Sequence, residues 1–290
     1  MGIKSGTGNL FQSTRASANK TRPAGYAFPA GLNQTGAANT SVDYLVVAGG
    51  GGAGGPIGTD YYGSGGGGAG GLIIVSNATL PASTPYSVTV GAGGPSTQVG
   101  SNSSAFPQTA FGGGAGSPGT NRNGGSGGGG GDPVGTDSQP AGTGTPGQGN
   151  NGAGTNAGQG YAGGGGGAGS AGSFPVNGGS GLAYPLSGSP VTYAAGGRGA
   201  PGNPVAPANG GAAGTPNTGN GGNGKTGGGG PLQIGGAGGS GIVIIRYSGS
   251  QTAAGGNYST GGGYSIHTFT GSGTFSTNSD FGGATTFNIN

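Results

Sequence analysis

Between Phe111 and Ser240, 51 of 130 residues are glycine. A backbone so poor in side chains cannot be organised by an ordinary apolar core. Val, Ile, Leu and Phe together supply only 39 of the chain's 290 residues. Charge cannot keep such a chain open either: 13 residues are charged, for a formal net charge of +3, too few to solvate a disordered segment. The main-chain amides have to be satisfied in some other way. One arrangement is a flexible linker, the usual fate of Gly-rich sequence. The other is a set of extended helices with three residues per turn. Lacking Cβ atoms, these can pack at backbone contact, so that N–H and C=O groups pair between neighbours. Ordering a residue costs ~1–2 kcal/mol and a hydrogen bond returns a net ~0.5–1.5 kcal/mol, so a lattice of this kind sits near balance and needs a frame. Only Arg122, Arg198 and Lys225 are basic in the region, which favours the ordered lattice over a solvated linker. There is no strict Gly-X-Y period, so a collagen helix is excluded.

Candidate frame segments flank the glycine body. Runs at 42–47, 72–75, 86–90 and 242–247, with a last group at 264–277, are β-branched or aromatic and bounded by Gly, Pro or Asn. In the last group Ile266 and Thr268 share one face, His267 and Phe269 the other. No stretch combines helix formers, an apolar stripe at 3.6 spacing and a cap. The expected fold is all-β: a small β-sandwich frame around a bundle of polyglycine II-type helices, with little or no α-helix. The expected organisation is an arm over 1–41, a glycine-rich domain over 42–248 and a C-terminal β segment over 249–290.

Composition also removes most chemistry. The chain has no Cys, no Trp, no Glu and a single His, which excludes disulfides, thiol catalysis and Cys/His metal sites. The only side-chain carboxylates are Asp43, Asp60, Asp132, Asp137 and Asp280. The expectation is a non-catalytic protein with neither cofactor nor metal. No apolar run approaches the ~18 residues of a membrane span, and residues 1–22 do not read as a secretory signal. Four basic residues, Lys4, Arg15, Lys20 and Arg22, precede the first acid at Asp43 and suit an arm that docks in an assembly. They are too few for nucleic-acid binding.

Three local patterns imitate functional motifs. GNGGNGKT (219–226) has phosphate-loop spacing, but Gly-rich coil precedes it and 227–231 cannot begin a helix. GGGGGDPVG (127–135) matches one calcium nonapeptide, yet those sites need stacked copies. GGSGG (124–128) matches a nucleophile elbow without its strand-to-helix context, and His267 is the only base available. The aromatics carry more. Tyr61, Tyr62, Phe174, Tyr184 and Tyr193 sit in breaks between glycine runs, which become loops at rod ends if the runs are rods. Exposed there, they suit contact with a sugar or protein. Alternatively, their rings cap the lattice. His267 is expected on a strand at a partner surface, as an assembly residue.

The ordered series VDYLVVAGGGGAGG (42–55), GGGGAGGLIIV (65–75), YSVTVGAGG (86–94), AFGGGAG (110–116) and GGSGIVIIRY (238–247) resembles the glycine-rich domain of tailed-bacteriophage virion proteins, found in tail fibres and host-binding adhesins. The resemblance implies a virion-surface, extracellular structural protein, a homo-oligomer whose partners are other virion proteins and a host surface glycan or outer-membrane protein. One segment departs from the pattern. YSIHTFTGSGTF (264–275) resembles a stretch that stands ahead of the VDYLVV strand in that family, whereas here it comes last. It reads as the opening of a second unit, or as a strand that completes a neighbouring chain's sheet. Two other functions remain open: a capsid decoration or surface filament protein joined through strand exchange at 264–277, and an ice-binding protein, against which the irregular Thr spacing counts.

Overall fold

The computed structural model of the chain describes residues 39–55, 63–118, 121–131, 139–156, 160–201, 211–225 and 234–282. Residues 1–38 of the expected N-terminal arm, with Lys4, Arg15, Lys20 and Arg22, lie outside these described residues, as do Tyr61 and Tyr62, while residues 39–41 open the first strand.

The run from Gly65 to Gly71 shows how glycine backbone is organised. All seven of its N–H groups donate to main-chain carbonyls at 2.8–3.1 Å, and the partner changes with a period of three. Gly65, Gly68 and Gly71 donate to Ser117, Gly114 and Phe111. Gly66 and Ala69 donate to Gly163 and Gly166, and Gly67 and Gly70 to Gly222 and Gly219. Carbonyls of the same run accept from three further segments, through Gly51, Ser126 and Gly197 among others. Period three is the signature of the polyglycine II helix, whose amides point outward at 120° intervals rather than along the axis.

The six neighbours also pair with one another and close a ring. Gly113 donates to Gly49, Gly114 to Ser126, Gly166 to Gly127, Gly165 to Gly197, Gly221 to Ala195, and Gly222 to Gly51. A hexagon of rods thus surrounds the 63–71 rod, and further rods pack outside it. Glycine is required because the rods touch backbone to backbone. A Cβ at Gly66, Gly67 or Gly68 would overlap the carbonyl oxygens of Gly197, Gly51 and Ser126 respectively. Alanine enters this rod at Ala69, where it meets an apolar cluster.

Asparagine builds the lattice outward. The Asn220 side-chain oxygen accepts the N–H of Ala195 while the next amide, Gly221, donates to the carbonyl of Ala195. One turn on, Asn223 and Gly224 hold Arg198 in the same way. Asn123 and Gly124 hold Thr143. An Asn–Gly pair therefore clamps both polar groups of one residue on the adjacent rod.

Among the described residues twelve strands frame one end of the bundle: β1 Asn39–Val47, β2 Leu72–Pro81, β3 Pro85–Thr89, β4 Ser103–Ala105, β5 Gln108–Ala110, β6 Leu182–Tyr184, β7 Val191–Tyr193, β8 Ile242–Ser248, β9 Ala253–Ala254, β10 Asn257–Gly261, β11 Tyr264–Phe269 and β12 Gly273–Thr277. They form a sheet of order β10-β11-β8-β1-β2, a second of order β5-β4-β3-β12-β9, and the hairpin β6-β7. Every pairing of these strands is antiparallel. No α-helix occurs among the described residues.

Apart from Asp43 and Arg246, the runs at 42–47 and 242–247 are apolar because β1 and β8 are covered on both faces over the rest of their length. Val42, Tyr44, Val46, Val243, Ile245 and Tyr247 pack with Val88, Phe269, Phe275 and Phe281 between the sheets. Leu45, Val47, Ile242 and Ile244 pack on the opposite side under Leu186 and Tyr193. The segment after Ser248 is neither a second unit nor a neighbour's strand. β11 pairs with β8 of its own chain and β12 with β3, so 249–282 complete both sheets. The positive φ angles of Gly262 and Gly263, 60° and 82°, make the tight turn that joins β10 to β11.

Candidate functional site

The rods gather their loose ends at one place. Gly54 pairs with Gly65, and Gly65 with Ser117. Thr155 pairs with Gln139, Tyr161 with Pro201, the amide of Lys225 with Ser64, and Gly211 with Ile234. The rods that flank 56–62, 132–138, 157–159, 202–210 and 226–233 all have their ends here, at the end of the bundle remote from the sandwich. By contrast, the turns at 145–148 and 215–218 return rods at the sandwich end, beside Leu72 and Gly219.

The far end carries exposed apolar side chains on a rigid base. Tyr161 is 41% and Ile234 65% exposed. Phe174, half-buried in the turn from Ser173 to Asn177, meets Tyr161 edge-on with ring centroids 6.4 Å apart. Sequence reasoning selected Phe174 and overlooked Tyr161, although Tyr161 opens the glycine run at 163–167 and so marks a rod end by the same criterion. Lys225 also lies here, and burial pushes its ammonium below the ordinary lysine range.

Tyr184 and Tyr193 are not brought to this surface. Tyr184 is half-buried on β6 at the sandwich end. Tyr193 on β7 is 2% exposed inside the second apolar cluster, where burial raises its phenol pKa. Its ring caps the lattice, the alternative reading of these residues, because β7 alternates and turns that position inward. Tyr61 and Tyr62 lie outside the described residues.

His267 requires a correction. It is fully buried between the sheets and cannot meet a partner, since its face of β11 points into the sandwich. Tyr247 stacks on it with centroids 5.7 Å apart, and Phe275 meets it edge-on. The Tyr247 hydroxyl accepts the N–H groups of Thr252 and Ala253, so its own hydrogen is directed to His267 Nε2, 3.2 Å away. Nδ1–H then donates to the Gly255 carbonyl at 2.7 Å. Burial lowers the imidazole pKa, although the bond to Gly255 opposes the shift. The ring is a neutral structural link from β11 to the 252–255 segment.

The motif look-alikes dissolve into the lattice. In 219–225 the amides of Gly221, Gly222 and Gly224 are committed to Ala195, Gly51 and Arg198, so none is free to cradle phosphate. Ser126 is fully buried at the centre of the bundle. Gly127 to Gly131 belong to a rod, and 132–135 lie outside the described residues. Among the described residues no three His, Cys, Asp or Glu side chains converge. A shallow hollow of about 410 Å³ beside β2 is lined by Leu72, Ile74, Gln148, Asn150, Ala168 and Leu182 and holds no titratable group. On the outer face of β1, Asp43 pairs with Arg246 at 2.8 Å. Partial burial works against it, but hydrogen bonds from Arg246 and the Asn77 N–H, with the Arg246 charge, hold the carboxyl below its usual range. Arg246 also lies 4.3 Å from the Tyr264 ring centroid.

The model of one protein family, described as a glycine-rich domain, matches residues 27–248. The chain belongs to the glycine-rich domain family. No curated protein and no solved structure matches it. The family match ends at the last residue of β8, so the strands β9–β12 that complete both sheets lie beyond it. No helix among the described residues is long and apolar enough to cross a membrane.

Proposed function

We propose that this chain is a non-catalytic structural protein of a bacteriophage virion, a tail-fibre or host-binding adhesin component that acts at the particle surface. The observation that carries the reading is the division of labour between the two ends. A sandwich stands at one end, and a cross-linked bundle of rods holds the termini of several connecting segments together at the other. That plan suits a stiff spacer that presents the segments joining its rods, because the rods are held by their own main-chain hydrogen bonds. Aromatic and apolar groups at the far end, the exposed Tyr161 and Ile234 with the half-buried Phe174, are of the kind that contact glycans or protein.

The reading is tested with purified protein on a panel of bacterial strains and with imaging of the native particle. Saturable binding to intact cells of the strain the particle infects, competition with adsorption, and a tail location are expected. A high copy number on DNA-filled heads with no cell binding overturns it in favour of capsid decoration. Filament assembly by strand exchange has lost its motivating feature, because β11 and β12 are both paired within their own chain.

A further inference from the structure

Asn–Gly pairs are the points at which a polypeptide most readily deamidates. The glycine nitrogen attacks Cγ of the asparagine, ammonia leaves, and a five-membered succinimide forms. Water then opens the ring, at Cγ to give aspartate or at the main-chain carbonyl to give isoaspartate. One water is consumed, one ammonia is released, and nothing is oxidised or reduced. Ring closure needs the side-chain amide free to turn onto the next nitrogen, and that N–H free of its acceptor.

Five such pairs fall in the described residues: Asn123–Gly124, Asn151–Gly152, Asn177–Gly178, Asn220–Gly221 and Asn223–Gly224. Four of them are locked on both counts. The side-chain oxygens of Asn123, Asn151, Asn220 and Asn223 accept the amides of Thr143, Gly144, Ala195 and Arg198 at 2.8–2.9 Å. The following amides, Gly124, Gly152, Gly221 and Gly224, donate to Thr143, Gly142, Ala195 and Arg198. Asn177 differs. Among the described residues neither its side-chain amide nor the N–H of Gly178 has a hydrogen-bond partner. Exposure does not separate the sites, because Asn123 and Asn151 are as open to solvent by class as Asn177. The difference is the clamp.

We infer that Asn177 is a self-modification site of the folded protein and that the glycine lattice protects the other four pairs. Conversion puts a carboxylate on the turn that carries Phe174, beside Tyr161, and lowers the net charge of the far end by one. Protection has a physical scale: attack at a clamped pair first requires local opening of two hydrogen bonds. At ordinary net strength these correspond to a slowing of roughly tenfold to a hundredfold.

The test incubates the full chain in mildly alkaline buffer, folded and in concentrated urea, and digests aliquots in acid with pepsin. Fragmentation mass spectrometry then follows the one-dalton gain at each site. Asn209–Gly210, outside the described residues, is followed alongside and does not enter the comparison. In the folded protein Asn177 is expected to convert at least about tenfold faster than Asn123 or Asn151, and in urea the five rates converge. Comparable folded-state rates at Asn123 or Asn151 and at Asn177 would overturn the proposal, and so would an Asn177 as slow as the clamped sites.

Discussion

Replacing Gly67 with alanine adds one methyl group at the centre of the hexagon, where it collides with the carbonyl of Gly51. The obstacle is main chain and cannot rotate away, so the 48–55 and 63–71 rods must separate. Three hydrogen bonds join them: Ala48 to Gly71 at 3.0 Å, Gly51 to Gly68 at 2.8 Å and Gly54 to Gly65 at 2.9 Å. Their net worth is about 1.5–4.5 kcal/mol, and any donor left buried without an acceptor costs roughly 1–3 kcal/mol more. The expected destabilisation is therefore about 3–6 kcal/mol, a large share of what a chain has to lose. The matched control is Gly271→Ala, where no atom lies within 4 Å of the new methyl group and φ is not positive. There the reduced freedom of the unfolded chain predicts no loss and a gain of up to about 1 kcal/mol. Urea unfolding followed by circular dichroism reads both variants. If Gly67→Ala falls within about 1 kcal/mol of Gly271→Ala, close backbone contact is not what holds the rods, and the lattice argument fails.

Three other outcomes are expected. His267 is neutral when folded and has a lowered pKa, so the unfolded chain binds the extra proton; stability is intact above the ordinary histidine value of about 6.5 and declines as pH falls below it. His267→Gln should flatten that dependence in pH-resolved urea titrations. Tyr193→Ala should cost roughly 3–5 kcal/mol by emptying part of the second cluster, while Tyr161→Ala leaves the melting temperature nearly unchanged and weakens binding to cells if the far end is the contact surface. A chain ending at Ser248 retains the whole family match but loses β9–β12, which leaves β8 and β3 as open sheet edges; limited proteolysis should find β3 and β8 accessible in it and protected in the full chain.

Much of the frame was legible because β1, β2, β3, β8, β11 and β12 carry their own signal, a β-branched or aromatic run closed by glycine, proline or asparagine. The strands that went unseen, β4, β5, β6, β7, β9 and β10, are two to five residues long; β4, β5, β9 and β10 are made largely of Ser, Ala, Thr and Gly, and β6 and β7 are only three residues each. Their pairing comes from neighbours supplied by distant sequence, and no local preference announces it. The candidate surface was legible only by half. Breaks between glycine runs mark rod ends, but a break does not say which end. Phe174 and Tyr193 occupy similar breaks, and one reaches the far end while the other is walled in by β7 and the sandwich.

What followed from the amino-acid sequence alone was a class of solution. So much glycine, with so little charge and so few large apolar side chains, leaves main-chain amides as the main source of cohesion, and glycine's missing Cβ lets them meet. Partner choice was settled in three dimensions. Each rod residue points its N–H at one of three directions, and which rod waits there depends on how all the rods are stacked. A glycine run looks the same wherever it lies, so its sequence holds no address. The frame of strands, with Asn–Gly clamps between rods, supplies the register that the runs themselves cannot encode.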